Sequence, residues 1–173
     1  MAHVSRGAVS THDARYLELS ATERSTRLLE KDDILVVEGH ANSSEIGRAA
    51  LFEGLNEPAT YQNHLFRVRA NQQIILPKFL LYVLNSDRIR RRWNAICNTS
   101  SGLNTINRRN LRNLLIQFPD TAEQKEILDV LAAGEILVNA SEEKLSALRL
   151  LKKSLLQNLL TGTIRTPDRA MHD

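Results

Sequence analysis

From Asp120 to Thr161 the chain has no proline, a single glycine, and apolar residues recurring at alternating three- and four-residue steps. Ile127, Leu131, Val138, Leu145, Leu148, Leu155 and Leu159 lie on that track, interrupted by Gly134, Ser141 and Lys152. Such spacing gathers the apolar side chains into one stripe of a long α-helix with a coiled-coil-like seam. At 1.5 Å per residue the helix would span roughly 60 Å, longer than a domain of this size needs internally. A helix of that kind packs against another long helix, and the rest of the sequence offers none. The partner helix is therefore expected from a second chain, identical or related. The expected segments are a domain over residues 1–119, a spacer and dimerisation helix over 120–163, and a polar tail over 164–173.

A chain of 173 residues holds one ordinary domain plus such an appendage. Up to about Arg27 it is polar and weakly patterned. Ile34–Val37 is a short apolar run between turn signals and predicts a strand, as do Gly47–Phe52 and His64–Arg69. Pro77 opens a helical pattern in which Phe79, Leu80, Val83 and Leu84 recur, continuing to Trp93. Asn98–Asn104 is small and polar and predicts a loop, and Leu114–Phe118, closed by Pro119, predicts a buried strand. The expected fold class is α+β: a mixed sheet with short helices, followed by the long helix.

Chemistry is constrained mostly by exclusion. With Cys97 as its one cysteine the chain has neither an intramolecular disulfide nor a cysteine-built metal site. The first residues lack the apolar segment of a signal peptide, and no run is long enough to span a bilayer, so a reducing, cytoplasmic location and no membrane contact are expected. Pro119-Asp120 followed by Glu123-Gln124-Lys125 spells a nuclease-like pattern. In metal-dependent nucleases, however, the two acids converge from separate strands onto the cation. Here they sit three residues apart at a helix start, where Asp120 or Thr121 as N-cap with Glu123 or Gln124 completes a capping box. The five histidines show no metal-ligand spacing, Asn98-Thr99-Ser100 is a glycosylation sequon without a secretory context, and no phosphate loop appears. No catalytic residue, metal ligand or cofactor is assigned.

Charge points elsewhere. Between Arg67 and Arg112 ten Lys/Arg face a single acid, Asp87, a local +9 in a chain whose net charge is +3. That concentration attracts polyanions, although a merely solvated basic face would look the same. Loop residues Asn98, Ser100, Ser101, Asn104 and Asn107 carry donors and acceptors suited to base edges, and Arg108 and Arg109 suit guanine edges or phosphates. Arg67, Arg91 and Arg92 complete the expected DNA-binding set. Arg88, Arg90, Arg91 and Arg92 share a helix and cannot all point one way, while Trp93 is expected to anchor that helix in the core. His40, Asn42 and Ser43, and again Gln62, Asn63 and His64, occupy turns where ordinary turn chemistry explains them equally well.

The order of these segments resembles a known family. Asp32-Asp33-Ile34-Leu35, Ile46-Gly47-Arg48, Leu76–Leu84, the glycine-containing loop Ser100–Ile106, Leu111–Ile116 with Phe118-Pro119, and Glu123–Ile127 are similar, in that order, to the target-recognition domains of type I restriction specificity subunits. Leu148–Gly162 resembles the family's spacer helix. The resemblance implies a chain that recognises specific double-stranded DNA and is not an enzyme. A full subunit has two recognition domains, whose helices pair antiparallel as a ruler. Modification subunits dock on it and methylate adenine with S-adenosylmethionine, and a restriction subunit cleaves with ATP, so those cofactors belong to the partners. This chain carries one domain and one helix and lacks the Trp-containing opening, so a half-length form shortened at its N-terminus is expected. The rival expectations are an interaction protein or inactive remnant that pairs through its helix without binding DNA, and a DNA-acting enzyme.

Overall fold

A strand's side chains alternate between faces, so four consecutive buried residues require cover on both sides. Ile34, Leu35, Val36 and Val37 are all buried, and the domain is built around them. The computed structural model describes residues 4–10, 16–100 and 103–165, with the backbone alone for 98–100 and 103. In chain order come β1 (Gly7–Ala8), α1 (Ala21–Arg27), β2 (Ile34–Val37), β3 (Gly39–His40), β4 (Ala49–Leu51) and β5 (Leu65–Val68). Then follow α2 (Pro77–Asn85), α3 (Asp87–Ile96), β6 (Asn98–Ser100), β7 (Leu103–Thr105), α4 (Arg108–Arg112) and α5 (Thr121–Leu160).

Strand β2 lies between β4 and β5, antiparallel to both, and β1 runs parallel to β4, giving a mixed sheet of order β1-β4-β2-β5. On one face Ile34, Val36 and Ala49 meet Leu80, Leu81 and Leu84 of α2. On the other, Leu35, Val37 and Ala50 meet Val4, with Leu29 and Tyr61 alongside. Each such side chain contributes about 1.5–3 kcal/mol by leaving water. A second sheet, β3-β7-β6, is antiparallel throughout. Glu38 joins the two sheets through its backbone: its N–H donates to His64 O at 2.9 Å and its carbonyl accepts from Ile106 N–H at 2.9 Å. The mixed sheet, short helices and long final helix are those expected.

Three local expectations are corrected. The helix over Pro77–Trp93 is two helices, broken at Ser86, whose extended backbone (φ −65°, ψ 153°) ends α2 while its hydroxyl accepts from Ile89 N–H to start α3. The loop Asn98–Asn104 is largely a hairpin, with Asn98 opposite Thr105 and Ser100 opposite Leu103. Leu114–Phe118 makes no strand pairing. Leu114 and Ile116 turn toward the core while Leu115 and Phe118 face solvent, so the segment is half-buried and not the buried strand expected.

Two details fix the core. Gly47 has φ +68°, a left-handed conformation, and any Cβ there would overlap the Trp93 indole, so glycine is required twice over. Trp93 is fully buried with Ile46, Ile89 and Ile106, anchoring α3 as expected. Asp33, also buried, accepts from Arg69 Nε at 2.7 Å, Arg69 Nη2 at 2.8 Å and Glu30 N–H at 2.8 Å. Burial alone would raise its pKa. The bonds from Arg69 and Glu30, with the charges of Arg69 and Arg67, outweigh that and hold the carboxyl below the ordinary carboxylate range.

The chain divides into two compact units, Met1–Leu128 and Asp129–Asp173. Helix α5 starts in the first. Asp120 Oδ1 caps it, accepting from Ala122 N–H at 3.0 Å and Glu123 N–H at 2.9 Å. One turn in, Gln124 is fully buried: its Nε2 donates to Ile74 O (3.0 Å) and Pro119 O (2.8 Å), and its Oε1 accepts from Leu76 N–H (2.8 Å). Within the second unit, Val138, Leu145, Leu148, Leu155 and Leu159 are 42–56% exposed in the single chain. Gly162, at φ +73°, closes the helix with Gly162 N–H donating to Leu159 O.

Candidate nucleic-acid interface

Helix α3 buries Ile89 and Trp93, with Ile96 half-buried on the same face. At about 100° per residue, that face leaves Arg88, Arg91 and Arg92 along one flank and Arg90 on the other. Arg90 is neutralised there, donating to Asp87 Oδ1 at 2.8 Å. Helix α4 packs Leu111 on the same cluster and exposes Arg108, Arg109 and Arg112. Those six arginines have no hydrogen-bond or ion-pair partner among the described residues.

Other members of the basic segment are committed within the domain. Arg67 donates to Leu28 O at 2.7 Å, and Arg69 belongs to Asp33 and Glu30. The +9 of the sequence is thus displayed mainly by two neighbouring helices, while the two arginines of the β5 region hold the α1–β2 connection.

Polar residues gather where the two sheets join. His40 lies opposite Asn104 in the β3–β7 ladder, and Asn104 Nδ2 donates to Ala41 O at 2.9 Å. His40 Nδ1 accepts from Asn42 N–H at 3.1 Å, and Asn42 caps the 3-10 turn Ser43–Glu45 by accepting from Ser44 N–H. The turn after β3 and the hairpin are therefore one surface, a proximity the sequence does not announce. Asn107 caps α4 in a reciprocal pair with Asn110, both bonds 2.9 Å. Asn98 and Ser100 lie on β6, and Ser101 lies outside the described residues.

Beside α4 is a polar depression, lined among others by Thr26, Arg27, Glu38, Gln62, Asn63 and Arg108. His64 on its rim has φ +70°, uncommon for a residue with a side chain. The structure thus brings Arg108 beside the 62–64 turn, and it adds Arg27 and Glu38, neither of which sequence reasoning selected. Arg27 sits in the weakly patterned opening stretch, and Glu38 looked only like a turn residue. Among the described residues no group of three or more His, Cys, Asp and Glu is placed to hold a metal ion, and no helix is long and apolar enough to cross a membrane.

Residues 6–148 match the family described as the type I restriction modification DNA specificity domain. The chain belongs to that family. It is 26% identical over 160 residues to the type I restriction enzyme StySPI specificity subunit of Salmonella potsdam, covering 90% of this chain and 35% of that protein. It is 30% identical over 123 residues to a Methanocaldococcus jannaschii protein assigned as the MjaX specificity subunit, covering 70% of this chain and 29% of the relative. Against the EcoKI specificity subunit of Escherichia coli K12 the identity is 23% over 172 residues, 96% of this chain and 37% of the relative. The chain spans about a third of the length of these relatives. The family's described domain and the long helix were both legible in the resemblance.

Proposed function

We propose that this chain recognises a specific sequence in double-stranded DNA as the specificity component of a type I restriction–modification complex. The observation that carries the reading is the set of six arginines on α3 and α4 with no partner among the described residues, next to the polar surface built by β3, the 62–64 turn and the β6–β7 hairpin. Arginines of that kind hold phosphates and set register, while amide and hydroxyl side chains on a fixed scaffold discriminate base edges. On this reading Arg91, Arg92 and Arg109 contact phosphate and Arg108 reaches the bases. Asn98, Ser100 and Ser101 offer donors and acceptors to base edges, Asn104 and Asn107 position the β6–β7 hairpin and α4, and Arg67 holds the α1–β2 connection. The role is recognition, with the chemistry left to a modification (methyltransferase) subunit and, through it, a restriction subunit. The location is then cytoplasmic. The exposed stripe of α5 pairs with a second copy or a related specificity chain.

An electrophoretic shift series of the full chain across salt tests this. Each neutralised phosphate contributes a log–log slope of about −0.9. Arg91→Ala or Arg92→Ala should flatten the slope by about that amount, and an unchanged slope for both moves the footprint to another face. A wild-type chain that binds no duplex at any salt overturns the reading and leaves a protein that acts through its helix alone.

A further inference from the structure

A surface that bound only phosphate would hold no carboxylate, yet the depression beside α4 contains Glu38. Its side chain is 32% exposed, and the charge partner recorded for it among the described residues is His64, whose Nδ1 stands 3.7 Å away. That is beyond hydrogen-bonding distance. The main chain carrying Glu38 is tied on both sides, to His64 O and to Ile106 N–H, at the point where the two sheets meet. The carboxylate is therefore presented from a fixed scaffold into a basic surrounding, with Arg27 and Arg108 also lining the depression.

We infer that Glu38 is a specificity-determining residue that accepts a hydrogen bond from the exocyclic amine of a base in the major groove. The inference rests on the DNA-recognition reading above and names a residue for it. A carboxylate repels phosphate and acceptor-only edges and rewards N–H donors. On the major-groove edge those donors are N4 of cytosine and N6 of adenine. Gln62 and Asn63, exposed on the adjoining turn, can pair with the neighbouring acceptor of the same or the next base. Arg27 and Arg108 supply the positive charge that lets DNA approach an anion it would otherwise avoid.

The test starts from a pool of random duplexes from which the full-length chain selects its site. Glu38→Ala, which removes the acceptor together with the charge, should reduce discrimination about 5- to 100-fold at one base pair and leave the others unchanged. It should also tighten binding to unselected duplex, roughly several-fold, because a negative charge has left the interface. Replacing adenine by purine, or cytosine by pyrimidin-2-one, at that pair removes the amine alone and tells which base is read. Wild type should lose affinity for the altered duplex, and Glu38→Ala, which has no acceptor left, should not respond. An equal response of both proteins overturns the assignment. So does uniform weakening at every base pair together with weaker binding to random duplex, since that marks Glu38 as structural. A wild-type chain that binds duplex but selects no site, or binds none, fails at the earlier step and overturns the recognition reading and this inference together.

Discussion

Individual side chains in this domain divide between those that hold the scaffold and those left to act, and composition cannot sort them. Asp33 illustrates the first kind. Its folded-state pKa lies below the unfolded value, so the ionised form stabilises the fold above about pH 4, and that contribution is lost as pH falls through the lower folded value. Asp33→Asn should cost about 1.5–3 kcal/mol near neutrality. The gap between wild type and variant in urea midpoints should narrow as the solution is acidified below about pH 4. A gap that is constant with pH would mean the Arg69 pair adds nothing beyond neutral hydrogen bonding. Asn107 and Arg108 are neighbours on opposite sides of the same division. Asn107→Ala removes a helix cap and should lower stability by about 1 kcal/mol without changing relative preference among DNA sequences. Arg108→Ala should leave the thermal midpoint in place and relax preference by about 1–3 kcal/mol at one position. Competition binding against a panel of single-base variants separates the two.

Among the elements, α5 makes the strongest demand on its surroundings. Leu145, Leu148, Leu155 and Leu159 stand 42–52% exposed in the single chain. Burying each is worth roughly 1.5–3 kcal/mol, so a second helix on that stripe is strongly favoured. Leu148→Asp should convert a dimer into a monomer, or a soluble chain into an aggregating one, by sedimentation velocity. A well-folded wild-type monomer at about micromolar concentration would remove the need for a partner helix. This helix, β2 and α2 could be read from the sequence because each has one dominant cause: a sustained period, an uninterrupted apolar run, a proline opening. The break between α2 and α3 was harder, since Asn85-Ser86-Asp87 sits inside an apolar pattern that continues across it. Only the capping chemistry of Ser86 marks the boundary. The β6–β7 hairpin escaped because its residues are weak strand formers, held by pairing with β3 some sixty positions earlier. For Leu114–Phe118 the apolar run suggested a buried strand, and the segment is instead unpaired and only half-buried, because apolar composition does not report what the backbone pairs with. The depression gathers α1, the 62–64 turn and α4, and no local pattern reports such a meeting.

For the molecule as a whole, identical partners would share one surface related by a two-fold axis, so the DNA they read would consist of inverted repeats. The selected site should show that symmetry, and inserting residues near Gly134 should lengthen the gap between its halves. A selected site without symmetry would point to a related but different partner chain. The buried amide of Gln124 bears on how such molecules diversify. Its side-chain hydrogen bonds go to main-chain atoms of residues 74, 76 and 119, and main-chain atoms are the same whatever side chains those positions carry. The polar part of that joint is therefore independent of the side chains at those three positions. On the recognition reading, recombination between chains that retain this glutamine would keep these three bonds while exchanging the portion proposed to read DNA, so a new specificity could be acquired whole rather than residue by residue.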